Sequence, residues 1–166
     1  QGIMAIGKIL AYAGMMEGKN VTWMPSYGPE MRGGTANCSV IVSDEEVGSP
    51  LISKDGTSAI VMNLPSLEKF ENELVPGGKL IINKSLINVE PKRKDLKVYY
   101  IPANEAGSGK VANMVMLGAY LEVTKTVDFE SALKAFVEVF GEEKSHLVPM
   151  NKEAMAKGAE AIRKHK

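Results

Sequence analysis

Ala59-Ile60-Val61-Met62, Pro65-Ser66-Leu67-Glu68-Lys69-Phe70, Pro76-Gly77-Gly78 and Lys79-Leu80-Ile81-Ile82-Asn83 follow one another within residues 59–83. The first run is almost continuously apolar, as a strand covered on both faces requires. Proline is tolerated in the first turn of a helix, and Leu67, Phe70 and Leu74 are spaced three and four apart for one helical face. Pro76-Gly77-Gly78 ends that helix, and residues 79–83 form a second buried strand. Strand, helix and strand in this order predict helices packed against a largely parallel sheet.

The same alternation extends in both directions. Downstream, Lys97-Val98-Tyr99-Tyr100-Ile101 reads as a strand ending at Pro102, and the chain then turns helical over 111–124, 129–140 and roughly 152–164, where Met155, Ala159 and Ile162 share a side. Upstream, Ile3, Ile6, Leu10 and Ala13, with Met4 and Ala11, form the apolar face of a first helix, which Gly18-Lys19-Asn20 stops. Val21-Thr22-Trp23-Met24 is a short strand closed by Pro25, and Cys38-Ser39-Val40-Ile41-Val42-Ser43 is another, ended by Asp44-Glu45-Glu46, Gly48 and Pro50. The expected fold is an α/β three-layer domain, a mostly parallel central sheet with helices on both faces, forming a single domain over residues 1–166. Because the sequence opens at Gln1-Gly2-Ile3 directly into a helix, a strand is expected ahead of it.

The chain has 166 residues, 45% of them hydrophobic, enough to bury a core without disulfides or a structural metal. Twenty Lys+Arg balance twenty Asp+Glu, which argues against a general nucleic-acid binder. No apolar run reaches the roughly 18 residues of a membrane span, and no signal-peptide pattern is present. The single cysteine, Cys38, can form neither an internal disulfide nor a cysteine-rich metal cage, and with ten methionines it suits a reducing compartment. A cytoplasmic protein is expected.

Ser26-Tyr27-Gly28-Pro29-Glu30-Met31-Arg32-Gly33-Gly34-Thr35 is the most informative loop. Loops at the carboxyl ends of strands are where open α/β domains place their ligands. Arg32 offers a bidentate fork for a carboxylate or phosphate, and Gly33-Gly34 let the backbone approach a partner. An internal pair between Glu30 and Arg32 is the bland alternative. Gly2 ahead of the first helix either permits tight packing or exposes amides to an anion. Pro102 to Lys110 is a second glycine-bearing strand-end loop without Walker spacing, in which Asn104 or Ser108 acts as a helix cap or contributes to a phosphate site. Asn113 is either a buried hydrogen-bonder or an interface contact, and Cys38 reads as a small buried hydrophobe. His146 and His165 lack partners at metal-ligand spacing. With no nucleophile elbow and no carboxylate pair, no catalytic residue is assigned.

Trp23 through Cys38, including Gly28-Pro29-Glu30-Met31-Arg32-Gly33-Gly34-Thr35, resembles the gamma subunit of 2-oxoacid:ferredoxin (acceptor) oxidoreductases. Gln1-Gly2-Ile3, Asn63-Leu64-Pro65-Ser66, and Pro102-Ala103 through Asn113-Met114 resemble further parts of the same family, so the likeness covers nearly the whole chain. The resemblance implies an α/β subunit with no cofactor of its own, packed beside alpha and beta subunits that hold thiamine diphosphate with Mg2+ and beside a ferredoxin-like delta subunit with iron-sulfur clusters. The complex it implies converts a 2-oxoacid and coenzyme A into acyl-CoA, carbon dioxide and reduced ferredoxin. The Gly-Pro-Glu-Met-Arg-Gly-Gly-Thr version of the loop looks more like the 2-oxoglutarate or branched-chain enzymes than the pyruvate type. On this reading Ser26, Tyr27, Glu30, Arg32, Gly33, Gly34 and Thr35 contact a partner subunit or coenzyme A, and Gly2, Asn104 and Ser108 are anion-binding candidates. A free-standing nucleotide or anion module and a purely structural assembly subunit are the alternatives.

Overall fold

The computed structural model describes residues 2–26, 37–48, 54–107 and 109–164. The first helix, α1 (Ile3–Met16), buries Ile6, Ile9, Leu10 and Ala13, and its Gly7 and Gly14 lie on the same side two turns apart. They make room for the strands β1 (Asn20–Ser26) and β2 (Asn37–Ser43), which pair antiparallel from Asn20 opposite Ser43 to Ser26 opposite Asn37. A methyl group at Gly14 would lie 2.8 Å from the Val21 side chain and 3.0 Å from Val42, and one at Gly7 would lie 2.9 Å from the Trp23 indole nitrogen and overlap the Cys38 sulfur. Small residues on one helical stripe therefore bring a strand pair directly onto the helix.

The parallel part of the fold is the sheet β3 (Gly56–Val61), β4 (Leu74–Asn83) and β5 (Lys97–Ile101), in that spatial order. Ile60, Ile81 and Tyr99 stand side by side across it. With period-two alternation, Ile81 and Ile101 enter the larger core with α1, α4 (Ala112–Thr124), α5 (Phe129–Phe140) and α6 (Val148–Lys164). Val61, Leu80 and Ile82 face the other way, onto Leu67 of α2 (Leu64–Phe70) and onto Ile87 and Leu96. These are the expected three layers, helix, sheet and helix. The central helix α4 is apolar nearly all round, with Met114 through Ala119 buried, because other elements cover every side of it.

Several boundaries differ from the sequence reading, each for a physical reason. The helix begun at Pro65 stops at Phe70, and a 3-10 turn over Glu71–Glu73 follows. Leu74 is the first residue of β4, opposite Gly56, and Pro76-Gly77-Gly78 lies inside that strand as an irregularity. The Arg93 guanidinium stabilises this early exit by donating to the carbonyls of Glu71 (2.9 Å) and Leu74 (2.7 Å), and Gly77 takes the left-handed conformation (φ 78°) that the bend needs. Pro25 lies within β1 rather than closing it, opposite Cys38, as an edge position allows. The last helix starts at Val148, with Pro149 in its first turn. The stretch after Pro102, read as loop, contains the short helix α3 (Ala103–Gly107), and Glu142–Leu147 is a 3-10 turn. The first two strands pair antiparallel, a departure from the parallel order of the other three. Among the described residues no helix is long and apolar enough to cross a membrane.

Candidate functional site

Each of the three parallel strands leaves the sheet at an asparagine. Beyond β3, Asn63 Oδ1 accepts the Ser66 N–H at 3.0 Å and caps α2. At the end of β4, Asn83 is fully buried. It donates from Nδ2 to Asn104 Oδ1 at 3.0 Å and accepts the Ser85 N–H at 3.2 Å. Beyond β5, the Asn104 N–H donates to Ser85 Oγ at 3.1 Å, and the Ser85 hydroxyl donates to the Glu105 carboxylate. That hydroxyl, with the local backbone amide and Lys84, holds the Glu105 carboxyl below the usual glutamate value against a small desolvation cost. Gly109, in the left-handed region at φ 68°, donates its N–H to the Asn104 carbonyl at 2.9 Å. The carboxyl edge of the sheet is thus tied together by side-chain amides and hydroxyls.

Two helix N-termini meet at the same edge. Gly2 caps α1 with φ 76°, and its carbonyl accepts the Ile6 N–H at 3.2 Å and the Asn113 side-chain amide at 3.4 Å. Asn113, half-buried, stands in the first turn of α4. A side chain at Gly2 would overlap the Asn113 amide, so position 2 requires glycine for its φ and for this contact. Neither α1 nor α4 has a side-chain cap or an acidic residue in its first turn. The partial positive charge of both helix ends is therefore not offset by a carboxylate in its own first turn.

The base of the long loop lies close by. Half-buried Ser26 pairs with Asn37 across β1 and β2, and the Cys38 thiol points at the Ile3 carbonyl 3.8 Å away, which sets this end of the strand pair beside the start of α1. Burial pushes the Cys38 thiol above its ordinary value, with the Trp23 indole opposing. Of the residues singled out in the sequence, the structure brings Gly2, Asn104, Asn113 and Ser26 to one edge. Tyr27, Glu30, Arg32, Gly33, Gly34, Thr35 and Ser108 lie outside the described residues. Sequence reasoning missed Asn63, Asn83 and Ser85 as participants. Their signal was an asparagine closing or following each buried run, the first of them three residues ahead of Ser66. Among the described residues no group of three or more His, Cys, Asp or Glu side chains is arranged to hold a metal ion.

Polar strand ends, glycine-bearing loops and two uncapped helices collected at one edge define an α/β domain of the kind that meets its ligand or partner at the carboxyl ends of its strands. Residues 1–161 match the pyruvate ferredoxin/flavodoxin oxidoreductase family, and the chain belongs to it. It is 31% identical over 169 residues to the ketoisovalerate oxidoreductase subunit VorA of Methanothermobacter marburgensis, a match covering 99% of this chain and 35% of that protein. The chain thus spans about a third of the length of that relative. It is 30% identical over 161 residues to the 2-oxoglutarate synthase subunit KorC of Methanocaldococcus jannaschii, covering 92% of this chain and 86% of the relative. Among solved structures, the gamma subunit of a keto/oxoacid ferredoxin oxidoreductase from Geobacter sulfurreducens superposes with a TM-score of 0.81 at 28% identity, covering 98% of this chain and 92% of that one.

Proposed function

We propose that this chain is the gamma component of a 2-oxoacid:ferredoxin oxidoreductase, which converts a 2-oxoacid, coenzyme A and oxidised ferredoxin into acyl-CoA, carbon dioxide and reduced ferredoxin. The observation that carries the reading is the gathering of Ser26, Gly2, Asn104 and Asn113 at one edge of a chain that belongs to this family. On this reading the edge faces the thiamine-binding alpha and beta subunits, and a ferredoxin-like delta subunit completes the complex in the cytoplasm. Thiamine diphosphate with Mg2+, and the iron-sulfur clusters, reside in those partners and supply the decarboxylation and electron transfer. This chain's part is to bind and orient. Arg32, with its sequence neighbours Tyr27, Glu30, Gly33, Gly34 and Thr35, pairs a partner carboxylate or an anionic group of coenzyme A. Gly2, Asn104 and Ser108 provide amide and hydroxyl donors for an anion at the helix ends.

The preferred substrate is 2-oxoglutarate, supported by the loop sequence and by a KorC relative of comparable length. A branched-chain 2-oxoacid is the second reading, favoured by the VorA relative that matches nearly all of this chain. The assembled complex should reduce ferredoxin fastest with 2-oxoglutarate when it is offered alongside ketoisovalerate and pyruvate. Arg32→Ala should weaken assembly or raise the coenzyme A requirement, and unchanged values for both would overturn the contact role. A purely structural subunit would lose assembly alone. Tight nucleotide binding by the isolated chain in calorimetry would favour a free-standing module instead.

A further inference from the structure

Gly7 lies over Trp23 and Cys38, and Gly14 over Val21 and Val42, so α1 rides above the seam between β1 and β2. One flank of the helix, with Ile3, Ile6 and Leu10, turns to the β2 side. The other flank turns to β1, where Lys8 Nζ sits 5.3 Å from the centre of the Trp23 ring. Tyr12 and Met15 follow Lys8 at helical spacing on this flank and are 41% and 52% exposed. Beside them, among the described residues, β1 pairs with β2 alone. Residues 20–26 carry no charge and no bulge to guard the other edge. An open strand edge and an exposed apolar helical flank therefore stand side by side.

The edge dictates its own register. Pro25 has no N–H to give to β2, so it belongs with the residues whose backbone groups point away from β2, and alternation places Val21 and Trp23 in the same set. We propose that β1 and the Lys8–Tyr12–Met15 flank of α1 form a symmetric interface with a second copy of this chain. Val21 pairs antiparallel with Trp23 of the second copy, and Trp23 with its Val21, each pair exchanging both N–H···O bonds about a two-fold axis at Thr22. Pro25 stays outside this ladder. Strands about 4.8 Å apart place the two α1 helices, each over its own seam, about 10 Å from one another, the spacing at which helices pack.

The occupant follows from this fit. Thr22 lies level with the middle of α1, between Gly14 over Val21 and Gly7 over Trp23, where Ala11 is small enough for close approach. Around an axis there, Lys8 of one copy meets Met15 of the other, Tyr12 lies near the centre, and the two Lys8 cations are offset rather than opposed. An uncharged strand is compatible with itself, since no like charges face each other across the ladder. The Thr22 hydroxyl, buried without a partner among the described residues, gains one in its own copy across the axis.

Cross-linking reads the register directly. Non-hydrogen-bonded antiparallel partners stand about 4.5 Å apart at Cα, within disulfide reach. Thr22→Cys in a Cys38→Ser background should therefore give a disulfide-linked dimer under mild oxidation, and Met24→Cys in the same background should not. Sedimentation of the full chain should give a dimer, and Tyr12→Glu with Met15→Glu a monomer with an unchanged circular dichroism spectrum. A monomeric parent chain at tens-of-micromolar concentration overturns the proposal, as does equal cross-linking at positions 22 and 24 or a dimer that survives both glutamates. Should the glutamates unfold the chain, the cross-link decides. Should the chain fold only within the complex, Thr22→Cys is oxidised there: a link between two copies supports the interface, and a link to a different subunit, or none, overturns it.

Discussion

Gly118 of α4 and Gly158 of α6 stand against each other where the two helices touch backbone to backbone. A methyl group on Gly118 would overlap the Met155 carbonyl, and one on Gly158 would overlap the Val115 carbonyl. The obstacle in each case is main chain, which cannot rotate away as a side-chain tip can. Gly158→Ala should therefore push the helices apart and cost about 1–3 kcal/mol or more, although alanine is the better helix former. Gly48→Ala, with no atom of the described residues within 4 Å of the new methyl, should stay within about 0.5 kcal/mol. Urea denaturation of both variants checks the contrast, and equal midpoints would refute the backbone contact.

Asn83 should be intolerant of truncation. It is fully buried and bonded at both ends of its amide, so Asn83→Ala leaves Asn104 Oδ1 and the Ser85 N–H short of a partner, at about 1–3 kcal/mol. A double-mutant cycle with Asn104→Ala should show coupling between the two positions, whereas additive losses would mean that they act independently.

Glu17 should make stability fall on the acid side. Its carboxylate accepts the Asp128 N–H at 2.7 Å, docking the end of α1 on the start of α5. Burial works to raise this carboxyl, but the bonds from Asp128 and Ser131 and the neighbouring Lys19 outweigh it and hold it below the ordinary value near 4.5. With the folded value depressed, the contribution is complete above pH 4.5 and disappears as pH falls through the lowered value. Glu17→Gln should flatten the loss of Tm below pH 4.5, and an unchanged acid limb would contradict this assignment.

Cys38 should react slowly with thiol reagents. It is partly shielded under α1 and its thiol is raised above the ordinary value of 9.0, so little thiolate is present at pH 8. Labelling by a disulfide reagent should run at least tenfold slower than in the urea-unfolded chain, with the rate still climbing above pH 9. Equal rates in both states would show the sulfur to be accessible.

The layered fold was legible because its cores follow simple patterns: continuous apolar runs through Ile60-Val61 and Leu80-Ile81-Ile82 for strands covered on both faces, and spacings of three to four for Ile6, Leu10 and Ala13. The boundary near Leu74 was not, since Leu74 falls at helical spacing from Phe70 and suits a strand equally well. What decides it is Arg93, about twenty residues away, and no local pattern reports that contact. At the edge of the sheet, Gly2 and Asn104 could be singled out as a glycine before a helix and a polar residue after a strand. The link from Asn83 to Asn104 could not, because it depends on which strands become neighbours. Gly118 and Gly158 look like weak points in their helices until the partner helix is in place.

The envelopment of α4 also sets a timetable. Its side toward α6 stays uncovered until the last helix has been made, and residues 125–164 intervene between the end of α4 and the end of α6. At about 5–20 residues per second, the ribosome leaves this deeply buried helix half-dressed for roughly two to eight seconds. Newborn chains are thus open to chaperones, and to mispairing with one another, during that interval.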